Sequence, residues 1–225
     1  VVGDLDSHDG ICRALANALQ CTVASPHYRL APEHPFPAAV EDCVDAVYWM
    51  CTAAGAGELG IDATRVAVGG DSAGGNLSAV VARHMVSRDV RLSAQVLIYP
   101  ACDTDTSLPS FDECADGFDL TTEAVRWFYR QYLPDEALAR HPDRAPQHAV
   151  DLAGVAPASV ATAEFDPVRD DGRAYAAKLR QARVEVEHEE WPGTIHGFAL
   201  MRSITPATEW LIDRVAGFVT RHWSQ

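Results

Sequence analysis

The sequence predicts an α/β fold, a mostly parallel sheet with helices on both faces, and three observations predict it. Short apolar runs alternate with segments of helical periodicity along most of the chain. The runs at 66–69 and 92–99 are almost continuously apolar, as suits strands covered on both sides. The length of 225 residues, 48% hydrophobic and 22% charged, can bury one sizeable core and excludes disordered, collagen-like and coiled-coil classes. The whole of 1–225 therefore reads as a single domain.

The elements follow in order. Residues 8–19 place Ile11, Ala14, Leu15, Ala18 and Leu19 at helical spacing, with Ser7 and Asp9 as candidate caps. Residues 22–25 read as a short strand. The stretch 29–37 holds Pro32, Pro35 and Pro37 and continues neither a helix nor a ladder. Helical periodicity returns over 38–54 (Val40, Val44, Val47, Cys51) and is expected to end at Gly55 and Gly57. A strand at 66–69 meets a tight turn, then a helix through Leu77, Val80, Val81 and Met85, then the strand 92–99. Residues 101–155 break the alternation with a polar loop to 120, a helix over 120–133 and a polar run. They predict an insertion over the strand ends, where such folds place their sites. The alternation resumes with a strand at 158–163, a helix at 173–182, a strand at 184–191 and a last helix after Pro206.

Composition narrows the partners. A formal charge of −14 offers no broad field for a phosphate backbone, so nucleic acid is not an expected partner. No apolar run is long enough for a membrane span, and cytoplasmic is the expected location, in keeping with cysteines that read as thiols of a reducing compartment. The six cysteines show no CxxC and read as small, mainly buried thiols. No HExxH, clustered Cys/His framework or EF-hand loop is present, and Asp103, Asp105 and Asp112 read as an exposed acidic loop; neither metal nor cofactor is expected.

The chemistry starts at Gly70-Asp71-Ser72-Ala73-Gly74, a G-x-S-x-G with a strand before it and a helix after it. A sharp strand-to-helix turn lifts Ser72 clear of the sheet, and a Cβ at either flanking glycine is expected to crowd it. The helix starting near Ala73 points free N–H groups at an oxyanion formed beside Ser72. A phosphate-binding loop would need a GKS/T ending, and the chain's only lysine is Lys178.

A serine hydroxyl needs a base to take its proton. Among nine histidines, His196 sits in Pro192-Gly193-Thr194-Ile195-His196-Gly197-Phe198, just beyond a strand and at the expected sheet edge. His84, His188 and His222 fall inside elements and read as structural or surface residues. Asp166 lies beyond the preceding strand, held by Pro167, and is preferred to Glu164 and Asp170 as the carboxylate that orients the imidazole. Ser72, then Asp166, then His196 is the chain order of α/β-hydrolases.

These residues carry a resemblance. Tyr28-Arg29-Leu30-Ala31-Pro32-Glu33-His34-Pro35, Gly69-Gly70-Asp71-Ser72-Ala73-Gly74-Gly75-Asn76, Asp166-Pro167-Val168-Arg169-Asp170 and the segment around His196 together resemble the hormone-sensitive-lipase-like branch of α/β-hydrolases, specifically bacterial carboxylesterases. The resemblance implies Ser72 as nucleophile, Asp166 as orienting acid, His196 as base and the Ala73 N–H as an oxyanion donor. It implies a helical cap at 101–155 and a small or medium acyl ester as substrate. Trp191, Phe198, Phe118, Trp127 and Phe128 become candidate pocket residues.

It also implies a His-Gly-Gly stretch ahead of a segment like Val1-Val2-Gly3-Asp4, and a further strand between those at 22–25 and 66–69. The expectation is a chain whose N-terminal strands lie outside this sequence, so that these two strands are not directly paired. The stripe Leu211, Val215, Phe218 and Val219 serves equally for packing on its own sheet or for a homodimer. Two other functions fit the scaffold: a non-catalytic small-ligand receptor, against which the presence of His196 argues, and an inactive structural fragment.

Overall fold

A computed structural model describes residues 1–223. Its centre is a four-stranded, wholly parallel sheet formed by β1 (Ala67–Asp71), β2 (Ala94–Ile98), β3 (Ala158–Phe165) and β4 (Val186–Ile195), adjacent in that order. β1, β2 and β3 are each followed by helices that return the chain for the next parallel strand. Alternation along the strands sorts their side chains between two faces. Ala94, Val96 and Ile98 of β2, with Ala161 and Ala163 of β3, pack on one face against α8 (Ala207–Trp223), flanked by α1 (Leu5–Leu19). Leu97, Ala158 and Val160 pack on the other against α4 (Ala73–Ser87) and α7 (Arg169–Gln181). Behind α4 lies α2 (Ala38–Met50), whose Val40, Val44 and Val47 meet Leu77, Val80 and Met85. Burial on both faces is complete for β2, as its apolar run predicts, whereas β1, from the run at 66–69, stands at the sheet edge and is only half-buried.

Leu211, Val215, Phe218 and Val219 are all buried against their own sheet. Three cysteines, Cys43, Cys102 and Cys114, are buried, whereas Cys12, Cys21 and Cys51 are only half-buried, and all six are free thiols.

Several boundaries differ from expectation for local reasons. Asp4 is the cap of α1: its carboxylate accepts from the Ser7 N–H and the Ser7 side chain accepts from the Asp4 N–H, so Ser7 is the partner within the first turn and Asp9 lies inside the helix. The helix expected over 38–54 is two, because Thr52 caps a new one, α3 (Ala53–Leu59), which contains Gly55 and Gly57. The loop expected from 101 to 120 contains α5 (Pro109–Glu113), begun by a proline at its first position. The inserted region continues with α6 (Thr122–Tyr132). It is fastened to the rest by Ser110 Oγ donating to Pro167 O at 2.6 Å and by the Phe36 N–H donating to Tyr132 O at 2.9 Å.

The strand expected at 22–25 is not formed. Thr22, Val23, Ala24 and Ser25 are exposed and make no ladder, since β-branched residues hold a strand only beside a partner. They are not paired with β1, whose only ladder among the described residues runs to β2.

Candidate active site

The site lies where β1, β3 and β4 end. Ser72 follows β1 directly and precedes α4, with φ 54° and ψ −118°, a backbone state that a non-glycine residue occupies only when its surroundings enforce it. Two bonds enforce it here: the Ser72 N–H donates to Ile98 O at 2.8 Å, and Ser72 O accepts from the Asn76 N–H at 3.1 Å. A Cβ on Gly70 would stand 2.5 Å from the Gly74 carbonyl, so the turn closes only over a glycine there. Gly74 differs from expectation: a Cβ on it would meet nothing within 4 Å, because it points away from the turn. The second crowded position is Gly75, 2.9 Å from Pro100 by the same measure. Ala73 is exposed and opens α4, where an N–H has no intrahelical acceptor.

His196 Nε2 lies 2.8 Å from Ser72 Oγ, and its Nδ1 lies 2.7 Å from Asp166 Oδ2. Asp166 is wholly buried; its second oxygen accepts from the Val168 N–H at 2.9 Å, which fixes the carboxylate's direction. Burial disfavours charge on His196, but the Asp166 carboxylate and its hydrogen bond outweigh it, so the imidazole titrates above its ordinary value. This is the arrangement in which an imidazole can take the hydroxyl proton of Ser72 while a carboxylate holds its other N–H.

The rivals of Asp166 have other partners. Glu164 accepts from the Gly193 N–H at 2.7 Å. Asp170 binds Ser110, Arg169 and Arg173. The glycine-punctuated stretch before His196 is not a free loop, as β4 runs on to Ile195 past an irregularity facing Ala163–Phe165. Pro192 and Gly193 are tolerated there because the ladder is already interrupted. His84, His188 and His222 each bind locally, to Asp143, Thr162 and the Phe218 carbonyl.

Of the aromatic candidates, Trp191 and Phe198 are buried core residues in contact with each other. Phe198 also meets Tyr99, whose ring centroid is 4.6 Å from that of His196. Phe118 stacks on Phe165, the neighbour of Asp166, at 4.9 Å. Trp127 and Phe128 pair with each other on α6, and Trp127 is exposed. Sequence reasoning missed Tyr99: it follows an unremarkable apolar run, and only strand adjacency brings it under His196.

Comparison with known proteins bears on the fold. A family model for the alpha/beta hydrolase fold matches residues 1–200. The carboxylesterase NlhH of Mycobacterium tuberculosis is 43% identical over 212 residues, 92% of this chain and 65% of that protein. The chain thus spans a little under two thirds of that curated relative's length. The crystal structure of DphMB1 superposes with a TM-score of 0.92 at 45% identity, covering 97% of this chain and 73% of the other. EstE1, a thermophilic and thermostable carboxylesterase cloned from a metagenomic library, gives 0.94 at 38% identity, covering 99% and 76%. A match over most of the sequence, together with shared architecture at these identities, places this chain in the alpha/beta-hydrolase fold family.

Proposed function

We propose that this chain carries the catalytic centre of a carboxylesterase of the hormone-sensitive-lipase-like branch, acting on small or medium acyl esters. The observation that carries the reading is His196 bridging Ser72 and Asp166 at 2.8 and 2.7 Å. Ser72 Oγ attacks the ester carbonyl carbon while its proton passes to His196 Nε2, and Asp166 holds the imidazolium that forms. The Ala73 N–H faces the oxyanion. Collapse of the tetrahedral intermediate breaks the C–O bond, and His196 returns its proton to the leaving alcohol. Water, deprotonated by His196, then attacks the acyl-enzyme and frees the acid and Ser72. Phe118, beside Phe165, and Trp127 and Phe128, on α6, are the aromatics proposed to border the acyl and alcohol groups, with Trp191 and Phe198 beneath them.

The finer branch assignment is supported by the sequence motifs and by the relatives named carboxylesterases. We also propose that further oxyanion donors come from a His-Gly-Gly segment preceding Val1. Support comes from the outer edge of β1, which has no ladder partner among the described residues, and from residues 22–25, which are exposed and outside any ladder.

The test is hydrolysis of p-nitrophenyl acetate and butyrate by this chain, by Ser72→Ala and by a chain extended upstream. Turnover abolished in Ser72→Ala is expected; unchanged turnover overturns Ser72 as nucleophile. The extension should raise the rate on the order of 100- to 1000-fold, the usual worth of an oxyanion donor, and equal rates overturn that part.

A further inference from the structure

The turn carrying Ser72 is held from its far side by three side chains that the reaction above does not use. Asp71 ends β1 and precedes Ser72. Its Oδ1 lies 3.2 Å from His8 Nε2 on α1, and its Oδ2 accepts from the Tyr99 hydroxyl at 3.2 Å. Tyr99 is buried, sits at a positive φ of 35°, and lays its ring 4.6 Å from the ring of His196. One carboxylate therefore touches the helix in front of the turn and the aromatic ring against the base.

The surroundings of His8 suit a cation. Ser7 Oγ donates to Asp4 O at 2.9 Å, which leaves its oxygen to accept from His8 Nδ1 at 2.9 Å, while Nε2 faces the Asp71 carboxylate. Both ring nitrogens can then donate, as only the imidazolium does. Asp71 raises the imidazole's affinity for a proton in the same sense. The groups facing His8 are Asp4 and Ser7 on its own helix and Asp71 from the sheet. Those acting on His196 are Asp166 from the loop after β3, Ser72, Tyr99, and the charges of Asp71 and Asp119.

A bare carboxylate next to Ser72 would oppose the oxyanion that forms there and would overstabilise the imidazolium of the base. A cation on its outer oxygen offsets both effects. We propose that Asp71 and His8 form a charge pair that sets the orientation and charge environment of His196, through the Ser72 turn on one side and Tyr99 on the other. Asp71 is then a positioning residue, and His8 is its counter-charge. This rests on the hydrolase reading for its consequence, though not for its geometry.

The two ends of the pair should act with opposite sign. Asp71→Asn removes a negative charge near His196 and should lower its titration midpoint by roughly half a unit to one unit, while lowering that of His8 by about one unit or more. His8→Gln leaves Asp71 uncompensated and should raise the His196 midpoint. Tyr99→Phe, which keeps the ring and loses the bond to Asp71, should lower kcat several-fold with KM nearly unchanged. The measurement is an NMR titration of the imidazole Cε1–Hε1 signals in the full chain, followed by the pH profile of kcat/KM on p-nitrophenyl butyrate, whose acid limb should move with His196. Midpoints for His196 unmoved in both Asp71→Asn and His8→Gln, or moved in the same direction, overturn the proposal. A merely structural pair would lower the melting temperature and leave them in place. Absence of esterase activity in the chain extended upstream as well as in this chain overturns the hydrolase reading instead, and the midpoints still decide this one.

Discussion

Asp166 shows how much of the proposed chemistry depends on one buried bond. Its carboxylate has one oxygen on the Val168 N–H and the other on His196, so the imidazole is held with Nε2 toward Ser72. Asp166→Asn keeps the shape but favours the wrong tautomer, and kcat should fall on the order of 10⁴-fold with little change in melting temperature. The base works only when neutral. Because His196 titrates above the ordinary imidazole value of about 6.5, kcat/KM should rise with pH along an acid limb centred above that value; a limb centred below it contradicts the environment described for His196. The glycines of the motif part company at this scale. Gly70→Ala should prevent the turn from closing and lower the folded yield sharply. Gly74→Ala lies in open space within α4 and should raise stability by roughly 0.5–1 kcal/mol, read by urea denaturation. Ser72, Asp166 and His196 were legible in the sequence because each stands at a boundary between periodic segments. Asp71 and Tyr99 as a pair were not, because their contact crosses between neighbouring strands and leaves no spacing signal.

Elements rather than residues decide how His196 reaches the site. Pro192 and Gly193 read as the end of a strand, yet β4 continues to Ile195. The register jumps from Ala163 opposite Trp191 to Phe165 opposite Ile195, so β4 carries more residues than β3 across this stretch. The Glu164 carboxylate on the Gly193 N–H holds the extra length in place. Glu164→Ala should loosen that segment by about 1–2 kcal/mol and lower kcat by roughly tenfold, while Glu164→Gln keeps an acceptor and most of the rate. Assays of both variants at one pH separate the bond from the charge. Helices were legible to within a turn wherever the apolar stripe was strong, as in α4 and α8. The error at 38–54 arose because Thr52 restarts a helix immediately, which periodicity alone reads as continuity.

At the scale of the whole molecule, the alternation of runs and stripes was enough to foretell a parallel sheet with covered faces, since each return helix forces the next strand to run the same way. The resemblance implied that residues 22–25 would not pair with β1, but nothing local showed that they form no strand at all, because strand formation depends on a neighbour that local sequence does not contain. Nor did the alternation mark the buried carboxyl that joins the inserted region to α7. Asp171 on α7 is 1% exposed, and its Oδ2 accepts from the Asp103 N–H at 3.3 Å. Arg144, also buried, lies over the Tyr129 ring of α6. Burial pushes the Asp171 carboxyl up to about 8, against some relief from that backbone bond and from Arg144. An unfolded aspartate titrates near 3.9. The folded state therefore binds this proton more tightly than the unfolded state does. Its contribution to stability is complete below about pH 4 and is lost as pH rises toward 8. Asp171→Asn replaces the protonated carboxyl with a neutral group of the same shape. Against wild type, the variant should gain stability progressively between pH 5 and pH 8, by several kcal/mol at the upper end, as measured by urea midpoints across that range. A difference between the two proteins that stays flat with pH would mean that Asp171 is ionised in the fold throughout, with Arg144 rather than a proton balancing it.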